Sequence, residues 1–245
     1  MHSFILGIVQ GLTEFLPVSS SGHIILFDRL FNMHMADVDF VAMLHLGTFF
    51  AVLLFSLKSI IRAFKHWKII INLIISTLPA AIFGVVFEKE VDSVFSDIIY
   101  LPIFFCITSA LLWLTGLKKV NTKKMEDMNW LDALLVGLMQ AAAIFPGISR
   151  SGSTLAVLIF MGYEKEDALY YSFLMSLPVV LGAVVFSFNK NVFMQGIMGF
   201  VSSLLFGILA LVLLKKIVKN GKLKYFSIYT LSLAVFILFY NMIVK

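Results

Sequence analysis

The sequence predicts an all-α integral membrane protein with an inverted-topology repeat: six transmembrane helices plus two re-entrant helical hairpins. Three observations carry that expectation. Of 245 residues, 60% are hydrophobic and 13% are charged, where a soluble domain carries about 25% charged residues. Long apolar runs of this kind span a bilayer as helices, because the hydrocarbon offers no water to satisfy an open backbone. Sliding the chain by 130 residues without a gap lays Gly7, Gln10, Phe15, Ser19, Ser21 and Gly22 on Gly137, Gln140, Phe145, Ser149, Ser151 and Gly152. Six identities in sixteen positions, polar ones included, exceed what shared hydrophobicity explains. The cations, finally, are concentrated in three short segments, as topology signals are.

The first apolar run, Phe4 to Phe15, reaches roughly 18 Å as a helix, short of a hydrocarbon core of about 30 Å. Pro17 and the three serines Ser19, Ser20 and Ser21 break it, and a second short run follows Gly22 to about Phe31. Two half-length helices joined by a polar turn read as a re-entrant hairpin, which is allowed where the turn is buried in protein or lines a wet cavity. Residues near 131–145 and 151–162 repeat the pattern. The plainer alternative is that each pair forms one long kinked span.

Full-length runs occupy about 40–57, 69–87, 98–117, 168–188, 196–214 and 225–244. Lys58, Arg62, Lys65 and Lys68 form one basic segment, Lys118, Lys119, Lys123 and Lys124 a second, and Lys215, Lys216, Lys219, Lys222 and Lys224 a third. All three are expected on the cytoplasmic side. The segments 28–39, 88–97 and 189–191 and both termini are then expected outside. The alternation gives two copies of opposite orientation, about 1–117 and 131–245, in a single membrane domain of 1–245. The loop 118–130 joins them as the one linker-like segment. Polar tips entering from opposite sides can meet near the midplane, where inverted-repeat membrane proteins place their sites.

The net charge of +5 does not indicate nucleic acid, since the cations sit in topology-setting loops. The single Cys106 excludes an intrachain disulfide and is expected to pack. The N-terminus lacks a basic n-region and Glu14 interrupts its apolar run, so it does not read as a signal peptide.

The chemistry is expected at the two tips, because ionisable groups at membrane depth are costly and mark function. Gln10 and Glu14 share a helix face at a spacing of four. Ser21-Gly22-His23 and Ser151-Gly152-Ser153-Thr154 each open a new helix, whose unpaired N–H groups and positive dipole end suit an anion. Arg150 adds a fork of donors matched to phosphate oxygens. The second tip thus reads as a phosphate cradle, and the first supplies Glu14 and His23 for proton transfer or attack. Against these stand structural roles: Ser19 and Ser149 as helix caps, Glu14 paired with Arg150, His23 as a satisfied buried histidine, and Gln140 bonding between helices. His45 is expected to pack or bond between helices, with an approach to the site as the alternative, and His34 and His66 to lie in loops. No Cys/His spacing suggests zinc.

Gln10-x-x-x-Glu14 with Pro17-Val-Ser-Ser-Ser-Gly-His23, and Pro146-Gly-x-Ser-Arg-Ser-Gly152 in the second half, resemble the signatures of the undecaprenyl-diphosphatase (bacitracin-resistance) family across essentially the whole chain. The resemblance implies removal of the terminal phosphate of undecaprenyl diphosphate in the bacterial plasma membrane, with the active-site cavity facing outward. It implies Glu14, Ser20, His23 and Arg150 as catalytic residues, with Gln10 and Ser149 beside them; the helix-start reading adds Ser19, Ser21, Gly22, Ser151, Gly152 and Thr154 around the substrate. It also implies a divalent cation, Mg²⁺, with Glu14 as a metal ligand. The implied partners are the polyprenyl diphosphate and the bilayer, with room for a homodimer. Gln10 stands where the family often has glutamate, and Ser21 where threonine is common. Gln10 cannot act as a base, which shifts that role to Glu14. The nucleophile remains open between Ser20, His23 and water. Because broken helices in inverted repeats are also transporter architecture, the alternative is a transporter or flippase of a polyprenyl phosphate or other anion.

Overall fold

The computed structural model describes residues 2–31, 38–87, 98–117, 121–186 and 190–244. It is helical throughout: α1 His2–Phe15, α2 Ser20–Leu30, α3 Val38–Phe55, α4 Leu57–Lys65, α5 Trp67–Val86, α6 Leu101–Leu114, α7 Trp130–Ala142, α8 Arg150–Phe160, α9 Lys165–Phe186, α10 Lys190–Lys219 and α11 Tyr225–Val244. Short 3₁₀ turns precede α6 and α7 at Ile98–Tyr100 and Met125–Asp127. Among the described residues, α5, α9, α10 and α11 each contain a stretch long and apolar enough to cross a membrane. The α3–α4 pair would make a fifth, bent by 67° at Ser56, while α6, α7 and α8 are shorter apolar helices.

The expected breaks fall where the sequence puts them. Pro17 lies between α1 and α2, and Pro146 and Gly147 lie between α7 and α8. At φ +99°, Gly147 takes a left-handed conformation that disfavours a side chain, and an added Cβ would come 2.7 Å from Phe104 Cβ. The helix starts differ in their capping. Ser149 caps α8 as expected, accepting the Gly152 amide at 3.1 Å. Ser19 makes no such bond to α2. Its hydroxyl instead accepts the Gly147 amide of the other tip at 2.9 Å, and its own φ is +68°.

α1 packs against α10, and α7 packs against α5. Both contacts are made through glycine: a Cβ on Gly7 would lie 2.4 Å from the Gly199 carbonyl oxygen, and one on Gly137 would lie 2.7 Å from that of Ser76. α3 also packs on α10 and α9, and α6 packs on α11. The largest core cluster joins Phe15 and Val52 to Leu158, Phe173, Met175 and Leu211.

Several expectations are corrected. The basic segment 58–68 is not a loop but contains α4, because Leu57, Ile60, Ile61 and Phe64 give it a helical apolar period. His66, as expected, is outside the helices, the single non-helical residue between α4 and α5. The described part of the linker is docked rather than free: Thr122 and Lys123 donate to the Gly162 carbonyl, and Met125 and Met128 are buried. Cys106 does not pack in the core; it is exposed on α6. His34 and the segments 32–37, 88–97 and 187–189 lie outside the described residues.

Candidate active site

α1 carries the acid. Gln10 and Glu14, one turn apart, are both buried. The Gln10 amide donates to Glu14 Oε2 at 3.0 Å and lies 3.0 Å from His45 Nδ1 on α3. Ser20, the first residue of α2, donates to the same Oε2 at 2.6 Å. Arg150, the first residue of α8, donates through Nη2 to Glu14 Oε1. His45 Nδ1 stands 3.4 Å from Glu14. One carboxylate thus gathers donors from both tips, an arrangement that offsets the cost of burying its charge.

The backbone between the helices holds this geometry. Thr108 of α6 donates to the Gly147 carbonyl at 2.8 Å and accepts the Ser149 amide at 2.9 Å. Ser151 donates to the Leu16 carbonyl at 3.4 Å. The left-handed Ser19 is tied at both ends, since its carbonyl oxygen also lies 2.7 Å from His23 Nδ1. A non-glycine residue in that region is strained and persists only where its surroundings over-determine it.

Beside the carboxylate lies a cavity of about 270 Å³, lined by Glu14, Ser19, Ser20, Ser21, His45, Gln140, Ser149 and Arg150, and by Ser176, Val179, Val180 and Ala183 of α9. Among the described residues, three buried polar atoms of the cluster and its cavity have no hydrogen-bond partner: Nη1 of Arg150, Oε1 of Gln10 and Oε1 of Gln140. A buried donor left unpaired costs free energy unless a ligand satisfies it, and a guanidinium nitrogen suits a phosphoryl oxygen.

A family model described as bacitracin resistance protein BacA matches residues 3–236. The chain belongs to this family. It is 49% identical over 233 residues to an undecaprenyl-diphosphatase of Thermotoga maritima, covering 94% of this chain and 96% of that one. It is 44% identical over 249 residues to an undecaprenyl-diphosphatase of Methanococcus vannielii, covering 98% of this chain and all of the other. A Thermosipho africanus protein of the same name is 40% identical over 252 residues.

Within this member of the family, the structure separates the expected site residues into two groups. Gln10, Glu14, Ser19, Ser20, Ser21, Ser149 and Arg150 surround one cavity or its carboxylate. The others support it from outside. His23 is buried with both ring nitrogens engaged, Nδ1 on Ser19 and Nε2 2.7 Å from the Tyr229 hydroxyl, and its ring stacks on Tyr229. Gly22 and Gly152 are packing positions: a Cβ there would meet Phe105 Cζ at 2.7 Å or Pro17 Cβ at 2.9 Å. Thr154 is bonded to the Arg150 carbonyl and to Ser172, both at 2.7 Å. The amides of Ser149 and Gly152 are committed to Thr108 and Ser149 Oγ, so they are not free to cradle an anion. Gln140 bonds between helices as expected, donating to the carbonyls of Ser76 and Met175. His45 bonds between helices as expected, and does so at the site; Ser176 is a cavity residue that the sequence did not single out. For His45 the signal was present: an ionisable side chain inside an apolar span.

Proposed function

We propose that this protein hydrolyses undecaprenyl diphosphate to undecaprenyl phosphate and inorganic phosphate, the activity that its relatives' names state, and so recycles a lipid carrier for cell-wall synthesis and confers bacitracin resistance. The observation that carries the reading is Arg150, with Nη2 on Glu14 and, among the described residues, Nη1 buried without a partner beside the cavity. A diphosphate there gives Nη1 its acceptor and competes with Glu14 for the guanidinium. Glu14 is then left facing Ser20 and takes the Ser20 proton. Ser20 Oγ bonds to the terminal phosphorus, the anhydride P–O bond breaks, and undecaprenyl phosphate leaves with the bridging oxygen. Water then cleaves the phosphoserine and releases phosphate. Arg150 stabilises the equatorial oxygens through both steps. His23 positions the tip by holding the Ser19 carbonyl.

The Glu14 carboxylate and the unpartnered Gln10 Oε1 are oxygen donors of the type Mg²⁺ takes, completed by substrate phosphate and water. A cation held by these two would offset charge on the diphosphate. Rapid acid quench of the detergent-purified enzyme with substrate labelled in the terminal phosphate tests the nucleophile. Label is expected on Ser20, and Ser20→Ala should lose turnover. Full turnover by Ser20→Ala assigns the attack to water instead. Phosphate release in detergent separates hydrolysis from transport, since detergent has no two sides.

The inverted repeats, the six spans and an outward-facing cavity belong to the same proposal. Gly7 and Gly137, equivalent under the 130-residue shift, contact equivalent helices α10 and α5, as an internal two-fold relation requires. Arg62 pairs with Glu126 and Asp167 and Lys215 with Glu166, which draws the lysine-rich segments to one end. The cavity residues of α9 lie toward its other end, away from Lys165. In a Cys106→Ser background, single cysteines at 58–68 and 215–224 should resist a membrane-impermeant thiol reagent applied to intact cells; labelling there would overturn the orientation.

A further inference from the structure

α4 has no part in the chemistry above, yet its surface is unusual. The helix leaves α3 at 67° and divides into three faces. Ser59 and Ala63 face the protein and are buried. Leu57, Ile61 and Phe64, spaced for a single stripe, are 49%, 55% and 75% exposed, and Trp67 just beyond them is 73% exposed. Lys58 and Lys65 flank that stripe and are exposed; among the described residues neither forms an ion pair.

Arg62, between the two lysines, turns inward. Its guanidinium binds both oxygens of Glu126, each at 2.6 Å, and both of Asp167, at 2.7 and 3.0 Å. Lys68 donates to the Glu126 carbonyl at 3.2 Å. This clasp ties α4 to the linker and to the start of α9, so the helix is fixed at an angle to its neighbour with an apolar stripe and a lysine edge pointing outward. A lone stripe of this kind buried in a bilayer core would drag its lysines with it; one left in water would expose three large apolar side chains and a tryptophan. Both costs vanish when the helix lies in the interface, stripe toward the acyl chains and lysines among the headgroups.

We propose that α4 is an interfacial helix that binds the anionic phospholipid headgroups of the leaflet at the lysine-rich end of the molecule. The occupant follows from charge: exposed lysines beside an apolar stripe attract an anionic surface over a zwitterionic one, by about fivefold per lysine.

Full-length protein with Trp113→Phe and Trp130→Phe leaves Trp67 as the one tryptophan. In nanodiscs, lipids brominated near the headgroup should quench it more strongly than lipids brominated at mid-chain. Stronger mid-chain quenching, or none from either, overturns the interfacial placement without any change to α4 itself. For the headgroup preference, native mass spectrometry of protein from mixed phosphatidylcholine and phosphatidylglycerol micelles compares the wild type with Lys58→Gln/Lys65→Gln. Bound phosphatidylglycerol should fall by one order of magnitude or more. Lys216→Gln/Lys219→Gln, which removes the same charge from exposed positions on α10 without an interfacial helix beneath them, should lower it by clearly less. Equal loss in both variants would assign the preference to net charge and overturn the role of α4. None of these readouts depends on phosphatase turnover.

Discussion

Glu14 is where four side chains from four helices converge, both tips included, and its partners divide by what each can do. Arg150 is a fixed cation, Ser20 a source of a nucleophilic oxygen, Gln10 and His45 orienting groups. Replacing Arg150 by lysine keeps the charge and loses the fork, so it cannot grip two phosphoryl oxygens side by side. Arg150→Lys should lower kcat by a factor on the order of 10²–10³, the scale of one lost preorganised donor. KM should move less, because the polyprenyl tail supplies apolar binding. Steady-state kinetics and melting temperature on the same purified variants check this, and a folded Arg150→Ala with near-normal kcat would remove the residue from the site. Glu14→Gln should abolish hydrolysis, while Gln10→Ala leaves part of it and Gln10→Glu is tolerated. Equal, complete loss from Gln10→Ala and Glu14→Gln would show that the amide is as necessary as the carboxylate. Most of this cluster was legible: Gln10, Glu14, Ser20 and Arg150 are polar residues in an apolar chain, and polarity at depth is a strong signal. For His45 the interhelical bond was legible but its partner was not, because one histidine in a featureless span carries no phase to say which way it points.

At the scale of helices, the informative residues are the small ones. Gly7 and Gly137 allow α1 and α7 to approach a neighbouring backbone more closely than any Cβ permits. Gly7→Ala and Gly137→Ala should each lower thermal stability by about 1–3 kcal/mol, the usual cost of overpacking. If one of the pair is silent by thermal melt while the other is costly, the two contacts are not equivalent. The serines at the tips show what sequence spacing cannot carry. Ser19 and Ser149 occupy equivalent positions, and capping is a local property readable from spacing. It describes Ser149 correctly. Ser19 does not follow because Gly147, 128 residues away, offers its hydroxyl a better-placed amide. Likewise the apolar period of α4 is present in the sequence, but four cations in eleven residues gave the stronger impression of a loop.

Across the whole molecule, tertiary charge pairing gathers what the chain scatters. Arg62 holds Glu126 and Asp167 at the lysine-rich end, and its bond keeps the Glu126 carboxyl below the usual carboxylate range. A carboxyl depressed in the folded state contributes stability that is fully present above its unfolded pKa of about 4.3 and is lost as pH falls through the lower folded value. The difference in melting temperature between wild type and Arg62→Gln should therefore be constant near neutral pH and shrink as pH drops below about 4. A difference that is unchanged at acid pH would mean the clasp acts by packing alone. The interlocked tips have a further consequence, for ancestry. Glu14 and Arg150 come from opposite halves, 136 residues apart, and Ser19 of one half completes the backbone of the other. On the proposed inverted arrangement, a gene encoding one half would make a protein holding half an active site. Such a protein could have worked only by inserting into the membrane in both directions and pairing with its own mirror-oriented copy. Fusion of two such genes would then have released each copy to specialise, one toward the acid and one toward the cation.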